Sequence, residues 1–243
     1  MSAPIIILGA RGGTGEALAR RLADAGHELF LTARDASTIE ELADATGART
    51  ASLDVNDTDA IADVIGEADT GDGIAGLAYC VGDIVLKPLK SASPEDYLDC
   101  FRLNTLGAAL SIKAAEKGLK QAGGSVVLFS TVAVGQGFPN HAVIATAKGG
   151  VEGLARSLAA ELAPDVRVNC IAPSITDTGI AESLTSSERM KEGLANAHPR
   201  NRIGQPEDLA RAAAFLLTED ADWVTGQVIG IDGGRSALRV RNQ

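Results

Sequence analysis

The chain is poor in cysteine and in basic residues, and it has no long apolar segment. Its 243 residues include three cysteines with no close pair, which argues against a disulfide framework and a cysteine-based metal site. The 22 basic residues are outnumbered by 32 acidic ones, whereas nucleic-acid binding needs clustered basic groups. The apolar run at 5–8 is too short for a signal peptide or a membrane span. We therefore expect a cytoplasmic protein without a metal and without nucleic-acid or membrane partners.

Short apolar runs alternate with amphipathic segments along the whole chain. Seven runs predict strands, at residues 4–9, 28–33, 49–53, 74–81, 125–130, 166–171 and 226–231. The clearest helical patterns between them cover residues 12–26, 94–120, 141–162 and 206–218. This alternation predicts an α/β fold: a doubly wound Rossmann fold with a parallel seven-stranded sheet and helices on both faces. One domain over 1–243 is the simplest interpretation.

Two further segments stand apart from this alternation. The irregular stretch 174–205 has one helical pattern, between Ser187 and Ala197, and its length suggests a lid over the substrate. The tail carries Arg235, Arg239 and Arg241, which we expect at the surface.

A glycine-rich loop joins the first strand to the first helix. It reads Gly9-Ala10-Arg11-Gly12-Gly13-Thr14-Gly15, and such glycines let the backbone approach a pyrophosphate at a helix N-terminus. The alternative is a tight turn that binds nothing. The position of the loop, after the first strand of an α/β pattern, favours a dinucleotide.

The second strand ends at Arg34 rather than at an acid. NAD-binding proteins of this architecture place an acid there to hold the ribose hydroxyls. Arg34 and Arg11 suit a 2′-phosphate instead, which favours NADP(H) over NAD(H). Two alternatives stay open: both arginines could be solvated surface residues, and Asp35 could still contact a ribose.

The chain resembles the classical short-chain dehydrogenase/reductase family over nearly its whole length. The matching positions keep the family's order and spacing: Gly9, Gly13 and Gly15 in the loop, Asp54-Val55, Asn104, Lys148, the segment 173–178, and the C-terminal runs 202–208 and 225–234. The resemblance implies an oxidoreductase that binds a small-molecule substrate. Members of the family are commonly homo-oligomers, so the resemblance also implies a tetramer or dimer. The cofactor-binding residues it implies, with the two arginines, are Gly9, Arg11, Gly13, Thr14, Gly15, Arg34, Asp54, Val55, Gly82, Lys148, Pro173, Thr176 and Thr178.

Within this resemblance, several positions have assigned roles. Asp54 and Val55 would contact the adenine, and Lys148 would hold the nicotinamide ribose. Asn104 would help to organise a proton-relay water. The segment that begins at Pro173 would contact the nicotinamide amide.

The chain departs from the family at three places. Tyr79-Cys80-Val81-Gly82 stands where the family has Asn-Asn-Ala-Gly. Thr131 occupies the position of the catalytic serine, and its hydroxyl can still polarise a carbonyl. Ile144 occupies the position of the catalytic tyrosine, four residues before Lys148. Isoleucine has no proton to give, so general acid catalysis by a phenol is excluded.

His141 is the substitute that the sequence offers. The enoyl-acyl carrier protein reductases, a divergent branch of the family, place their tyrosine seven residues before the lysine, which is the position of His141. Near a helix N-terminus the ring favours its neutral form, which could donate a hydrogen bond to a substrate oxygen. The alternative is a surface or packing residue at a helix start.

Two functions are therefore open. The first is an NADP(H)-dependent oxidoreductase acting on a small carbonyl or enoyl compound with a non-standard proton donor, in which Thr131, Lys148, Asn104 and His141 are catalytic. The second is a dinucleotide-binding protein without hydride transfer, such as a sensor or a partner subunit.

Overall fold

Seven strands form one parallel sheet in the computed structural model, which describes residues 3–239. They are β1 (Ile5–Leu8), β2 (Leu29–Ala33), β3 (Arg49–Ser52), β4 (Gly76–Tyr79), β5 (Ser125–Phe129), β6 (Arg167–Pro173) and β7 (Val228–Ile231). Their order across the sheet is β3-β2-β1-β4-β5-β6-β7, and every neighbouring pair is parallel. The winding reverses between β1 and β4, where folds of this type form a ligand crevice at the carboxyl ends of the strands.

Helices cover both faces of this sheet. They are α1 (Gly13–Asp24), α2 (Glu40–Thr46), α3 (Ala60–Gly66), α4 (Pro94–Phe101), α5 (Gly107–Ala122), α6 (Val132–Gly135), α7 (Ala142–Glu161), α8 (Glu182–Thr185), α9 (Glu188–Ala195) and α10 (Pro206–Leu217). The predicted doubly wound Rossmann fold is therefore confirmed.

Burial on both faces explains why the strands read as continuous apolar runs. In β1, Ile5 and Ile7 pack in the layer that contains α1 and α10, whereas Ile6 and Leu8 pack in the layer of α3, α5 and α7. All four side chains are fully buried. Successive strand residues point to opposite faces, so a strand covered on both sides needs an apolar residue at every position.

The predicted helix over 94–120 differs from the structure in one respect. It begins as expected, because Ser93 and Asp96 form a capping box before Pro94. It then contains a π-helical turn at Arg102–Leu106, between α4 and α5. Nδ2 of Asn104 lies 2.8 Å from the Cys100 carbonyl, the acceptor one α-helical turn earlier. The side-chain amide of Asn104 thus donates to a backbone carbonyl that the helix would otherwise use. π-Turns are frequent at functional sites.

The irregular segment 174–205 contains more helix than its sequence predicts. Helix α9 matches the expected pattern, and the structure adds α8 and a 3-10 turn at Gly179–Ala181. A salt bridge of 2.9 Å between Lys191 and Asp177 ties α9 to the loop after β6. Within residues 3–239, no helix is long and apolar enough to span a membrane. Arg241, expected at the surface, lies outside the described residues.

Candidate active site

A cavity of about 340 Å³ opens at the carboxyl ends of β4, β5 and β6. Eight of the predicted catalytic and cofactor-binding residues line it: Thr14, Gly82, Thr131, His141, Lys148, Pro173, Thr176 and Thr178. The segment 174–205 contributes Ile180, Leu184 and Leu194 to the same lining. The structure therefore brings the nicotinamide-end residues and the irregular segment together around one space. Among residues 3–239, no group of three His, Cys, Asp or Glu side chains could hold a metal ion.

The glycine loop leaves the first turn of α1 open to a ligand. Gly12 is the N-cap residue and offers no side chain to the N–H groups that follow it. Gly9 has φ = 79°, and a Cβ on Gly15 would lie 2.5 Å from the Gly9 carbonyl oxygen. These two glycines are required by the turn itself. Because the N–H groups of the first helical turn have no partner within the helix, the loop presents donors suited to a pyrophosphate.

The two arginines predicted to hold a 2′-phosphate are accessible. Arg11 and Arg34 are both exposed, and neither forms a salt bridge with a carboxylate in the part of the chain that the structure describes. The Asp35 carboxylate is engaged elsewhere, since its Oδ1 accepts hydrogen bonds from the Ser37 N–H at 3.0 Å and the Ser37 hydroxyl at 2.8 Å. These bonds hold the pKa of Asp35 below its ordinary value. Asp35 thus caps the turn after β2.

Asp54 and Val55 differ in what they can offer an adenine. Asp54 is exposed and accepts hydrogen bonds from Asn56. The Val55 side chain is buried in the core, next to Gly107 of α5. A Val55 side-chain contact with adenine is therefore not available in this structure, and only its backbone could take part.

Asn104 presents an unpaired amide oxygen beside Lys148. Its Nδ2 donates to the Asp83 carboxylate at 2.9 Å and to the Cys100 carbonyl at 2.8 Å. Both partners are acceptors, so the orientation of the amide is fixed. Its Oδ1 is buried and has no hydrogen-bond partner among residues 3–239. A buried acceptor needs a donor. A Cβ placed on Gly82 would lie 2.9 Å from this oxygen and 3.2 Å from Nζ of Lys148, so both atoms border the same small space beside Gly82.

Lys148 is buried at the wall of the cavity. Its Nζ donates to the Phe129 carbonyl at 2.9 Å. Burial lowers the pKa of Lys148, and the nearby Asp83 carboxylate opposes that shift. The pKa values of Cys80, Cys100 and Cys170, which also lie near Lys148, are raised by burial to about 12. These thiols are neutral at pH 7, so Asp83 is a negative charge that helps to keep Lys148 protonated.

Thr131 is positioned to donate its hydroxyl hydrogen into the cavity. It is the N-cap residue of α6, and its Oγ1 accepts a hydrogen bond of 3.2 Å from the Ala133 N–H. That contact uses an oxygen lone pair and leaves the O–H free to donate. The neighbouring Ser130 is different, because its hydroxyl donates to Glu152 at 2.9 Å and is buried.

Ile144 fills the tyrosine position with apolar packing. Its side chain is 4% exposed and forms a small cluster with Cys100, Val143 and Ala147. Tyr97 packs against this cluster from α4. At the tyrosine position the cavity wall is therefore aliphatic, and no side chain there can donate a proton.

His141 lies at the start of α7, as predicted, but its hydrogen-bonding pattern differs from the expectation. Its Nδ1 is 2.7 Å from the Pro139 carbonyl oxygen. A carbonyl only accepts, so this contact places a hydrogen on Nδ1, and Nε2 of a neutral ring is then an acceptor. The expected donation from a neutral ring through Nε2 is incompatible with this geometry. Donation from Nε2 requires the imidazolium form.

Two charged residues that border the cavity were not predicted from the sequence. Asp83 follows Gly82 directly and orients Asn104. Arg235, expected at the surface, is half-buried and lines the cavity instead. No local pattern around either residue signals its place, because both reach the cavity through contacts that are distant in sequence.

The fold and the site together define a dinucleotide-binding oxidoreductase. A family model described as enoyl-(acyl carrier protein) reductase matches residues 9–236. The chain is 30% identical to versicolorin reductase 1 of Aspergillus parasiticus, with 94% of each chain covered. It is 30% identical to carbonyl reductase family member 4 of Danio rerio, over 98% of this chain and all of that one. The chain belongs to the short-chain dehydrogenase/reductase family.

Solved structures show the same architecture. A short-chain dehydrogenase/reductase from Mycobacterium ulcerans superposes with a TM-score of 0.89 at 27% identity, over 98% of this chain and 92% of that one. ElxO with NADP bound superposes with a TM-score of 0.91, over 98% and 100% of the two chains. At 24% identity, the likeness to ElxO is evidence for the fold alone.

Proposed function

We propose that the protein is an NADP(H)-dependent oxidoreductase that acts on a small carbonyl or enoyl compound without a tyrosine as proton donor. The observation that carries this proposal is the arrangement of Thr131, His141 and Lys148 around one cavity, with Ile144 at the tyrosine position. Hydroxyl, imidazole and ammonium groups can polarise an oxygen or pass a proton. Ile144 can do neither.

The residues of the chain fit an NADP(H) molecule from end to end. The open N-terminal turn of α1, with Thr14, would hold the pyrophosphate, and Arg11 and Arg34 would hold a 2′-phosphate. Towards the cavity, Lys148 would hold the nicotinamide ribose, while Pro173, Thr176 and Thr178 would face the nicotinamide amide. When bound, the nicotinamide supplies the hydride.

Residues of the chain itself then polarise the substrate oxygen and deliver the proton to it. Thr131 donates its free O–H to the oxygen and polarises the bond that is reduced. The proton reaches that oxygen from the Lys148 ammonium through a water held by Oδ1 of Asn104, or from the His141 imidazolium through Nε2. Asp83 keeps Asn104 oriented, and its carboxylate opposes the lowering of the Lys148 pKa by burial. One proton and one hydride thus add to the substrate in each reduction.

Thr131→Ala is expected to lower kcat about 100-fold, because one positioned donor to a developing negative charge is worth roughly that much. Thr131→Ser keeps the hydroxyl and should remain within about threefold of wild type by the same principle. His141→Gln is expected to lower kcat about 100-fold, the lower end of what a positioned general acid contributes. The measurement is NADPH oxidation on a panel of carbonyl and enoyl compounds. Undiminished turnover in Thr131→Ala and His141→Gln would remove these two roles.

We further propose that the segment 174–205 is a substrate lid. Ile180, Leu184 and Leu194 give it an apolar face towards the cavity. The Lys191–Asp177 salt bridge holds its second helix against the beginning of the same segment, in the loop after β6.

The exposed apolar residues support the proposal of a homo-oligomer. Trp223 is 99% exposed, and Leu98 and Phe101 on α4 are 52% and 44% exposed. Large side chains of this kind are common at protein–protein interfaces. A dimer or tetramer that covers these positions agrees with the expectation from the family.

A further inference from the structure

Arg235 brings a cation to the cavity that the proposed reaction does not use. Its guanidinium carbon lies 5.0 Å from the centroid of the Phe138 ring, and that ring lies 5.3 Å from the centroid of the His141 ring. Arg235, Phe138 and His141 all line the cavity. The cation therefore stands on the side of the proposed proton donors.

The structure holds the backbone of Arg235 firmly in this place. Nε2 of Gln136, in the loop after α6, donates to the carbonyl oxygens of Arg235 at 3.3 Å and Ser236 at 2.9 Å. The carboxylate of Asp232 accepts the N–H groups of Gly234 and Ser236, both at 2.8 Å. The turn after β7 is thereby fixed to the loop that carries Thr131 and Phe138.

The guanidinium is stabilised without using its hydrogen-bond donors. It stacks over the face of Phe138, a cation–π contact that engages the charge but none of the N–H groups. Within residues 3–239, no carboxylate forms a salt bridge with it. A guanidinium has five N–H donors in a planar fork that matches a carboxylate. Arg235 is thus a cavity-lining cation whose N–H donors have no partner in the described part of the chain.

The other charges of the cavity already have partners. Asp83 accepts the Asn104 amide, and Lys148 donates to the Phe129 carbonyl. Most of the remaining lining is apolar: Ile84, Leu86, Val132, Phe138, Ile144, Ile180, Leu184, Leu194 and Leu209. A ligand that satisfies this surface has an apolar body and one anionic group for Arg235.

We propose that the substrate is a small carboxylic acid whose carboxylate pairs with Arg235, with an apolar body between that group and the carbonyl or alkene that is reduced. This inference rests on the proposed function and adds its substrate class. A single guanidinium can pair bidentately with one carboxylate and neutralise it. A phosphate dianion would keep an uncompensated charge against an apolar wall, so the geometry favours the carboxylate.

The test compares an acid with its own ester. The probes are 4-(hydroxymethyl)benzoate and its methyl ester, titrated into the protein with and without NADP⁺ by calorimetry, together with the kinetics of the matching aldehydes. Wild-type protein should bind the acid about tenfold more tightly than the ester or better, the magnitude expected for a charge-assisted pair. Arg235→Gln should abolish this preference and leave ester binding within about twofold, because it removes only that pair. Arg235→Lys, which keeps the charge and loses the fork, should fall between them.

Arg239→Gln is the matched control. Arg239 is exposed, and this substitution removes the same charge from the same tail. It should bind both probes as wild type does. Equal binding of acid and ester by wild type, failure of the acid to bind, or an unchanged preference in Arg235→Gln would overturn the inference. An acid preference that depends on Arg235 without NADPH oxidation on any compound would instead contradict the proposed function and leave the carboxylate site standing.

Discussion

Ile144→Tyr is expected to raise the kcat for carbonyl reduction about 100-fold, the lower range of what a positioned general acid contributes. The new phenol would stand four residues before Lys148 on α7, one helical turn away. Burial lowers the pKa of Lys148 and the Asp83 carboxylate opposes that shift; a lysine ammonium at that distance lowers the pKa of a phenol. The substitution supplies what the site lacks and leaves its other groups in place. The measurement is steady-state NADPH oxidation with aldehydes and ketones.

Ile144→Phe is the control that separates the hydroxyl from the ring. Both aromatic variants must fit against Cys100, Val143 and Tyr97, and added volume in a packed cluster costs about 1–3 kcal/mol. The two variants should therefore lose similar thermal stability, while only the tyrosine gains activity. Equal activity in the two variants would show that the proton does not limit the reaction at this position.

Arg34→Asp is expected to reverse the cofactor preference. It removes a charge-assisted pair with the 2′-phosphate, worth about 1.5–3 kcal/mol, and adds a repelling carboxylate. The Kd for NADPH should rise about 100-fold, while that for NADH should stay equal or fall because an acid at this position can hold ribose hydroxyls. Fluorescence titration of both nucleotides measures the two constants.

Two further variants serve as controls for Arg34→Asp. Arg34→Ala removes the attraction without adding repulsion, so its effect on NADPH should be smaller. Arg21→Asp makes the same change of net charge at an exposed position of α1 and should leave the ratio of the two constants unchanged. A ratio that stays the same in Arg34→Asp would show that Arg34 does not face the 2′-phosphate.

The sequence could predict those features of this protein that depend on local pattern. Ile5 to Leu8 are four consecutive apolar residues, and only a strand covered on both faces buries all of them. The loop from Gly9 to Gly15 follows that strand directly, so the position of a dinucleotide site could be inferred. The family resemblance singled out Thr131, His141 and Ile144 by their spacing before Lys148, and all three line the cavity.

Other features depend on contacts between distant residues, and the sequence carries no sign of them. Asn104 turns a helix into a π-turn because its amide reaches the Cys100 carbonyl and the Asp83 carboxylate. Arg235 reaches the cavity because Gln136, far away in the chain, holds its backbone. The His141 ring has its hydrogen on Nδ1 because of the fold of the Pro139 turn. Each depends on three-dimensional placement rather than on residue type.

Transfer of deuterium from NADPH labelled at C4 of the nicotinamide tests the central claim most directly. The wild-type protein would be incubated with the labelled cofactor and the carbonyl and enoyl panel, including aromatic aldehydes that carry a carboxylate, and products would be analysed by mass spectrometry. We expect one deuterium in the product and a slower transfer of deuterium in Thr131→Ala. Tight NADPH binding with no deuterium in any product would contradict it and identify a dinucleotide-binding protein without hydride transfer.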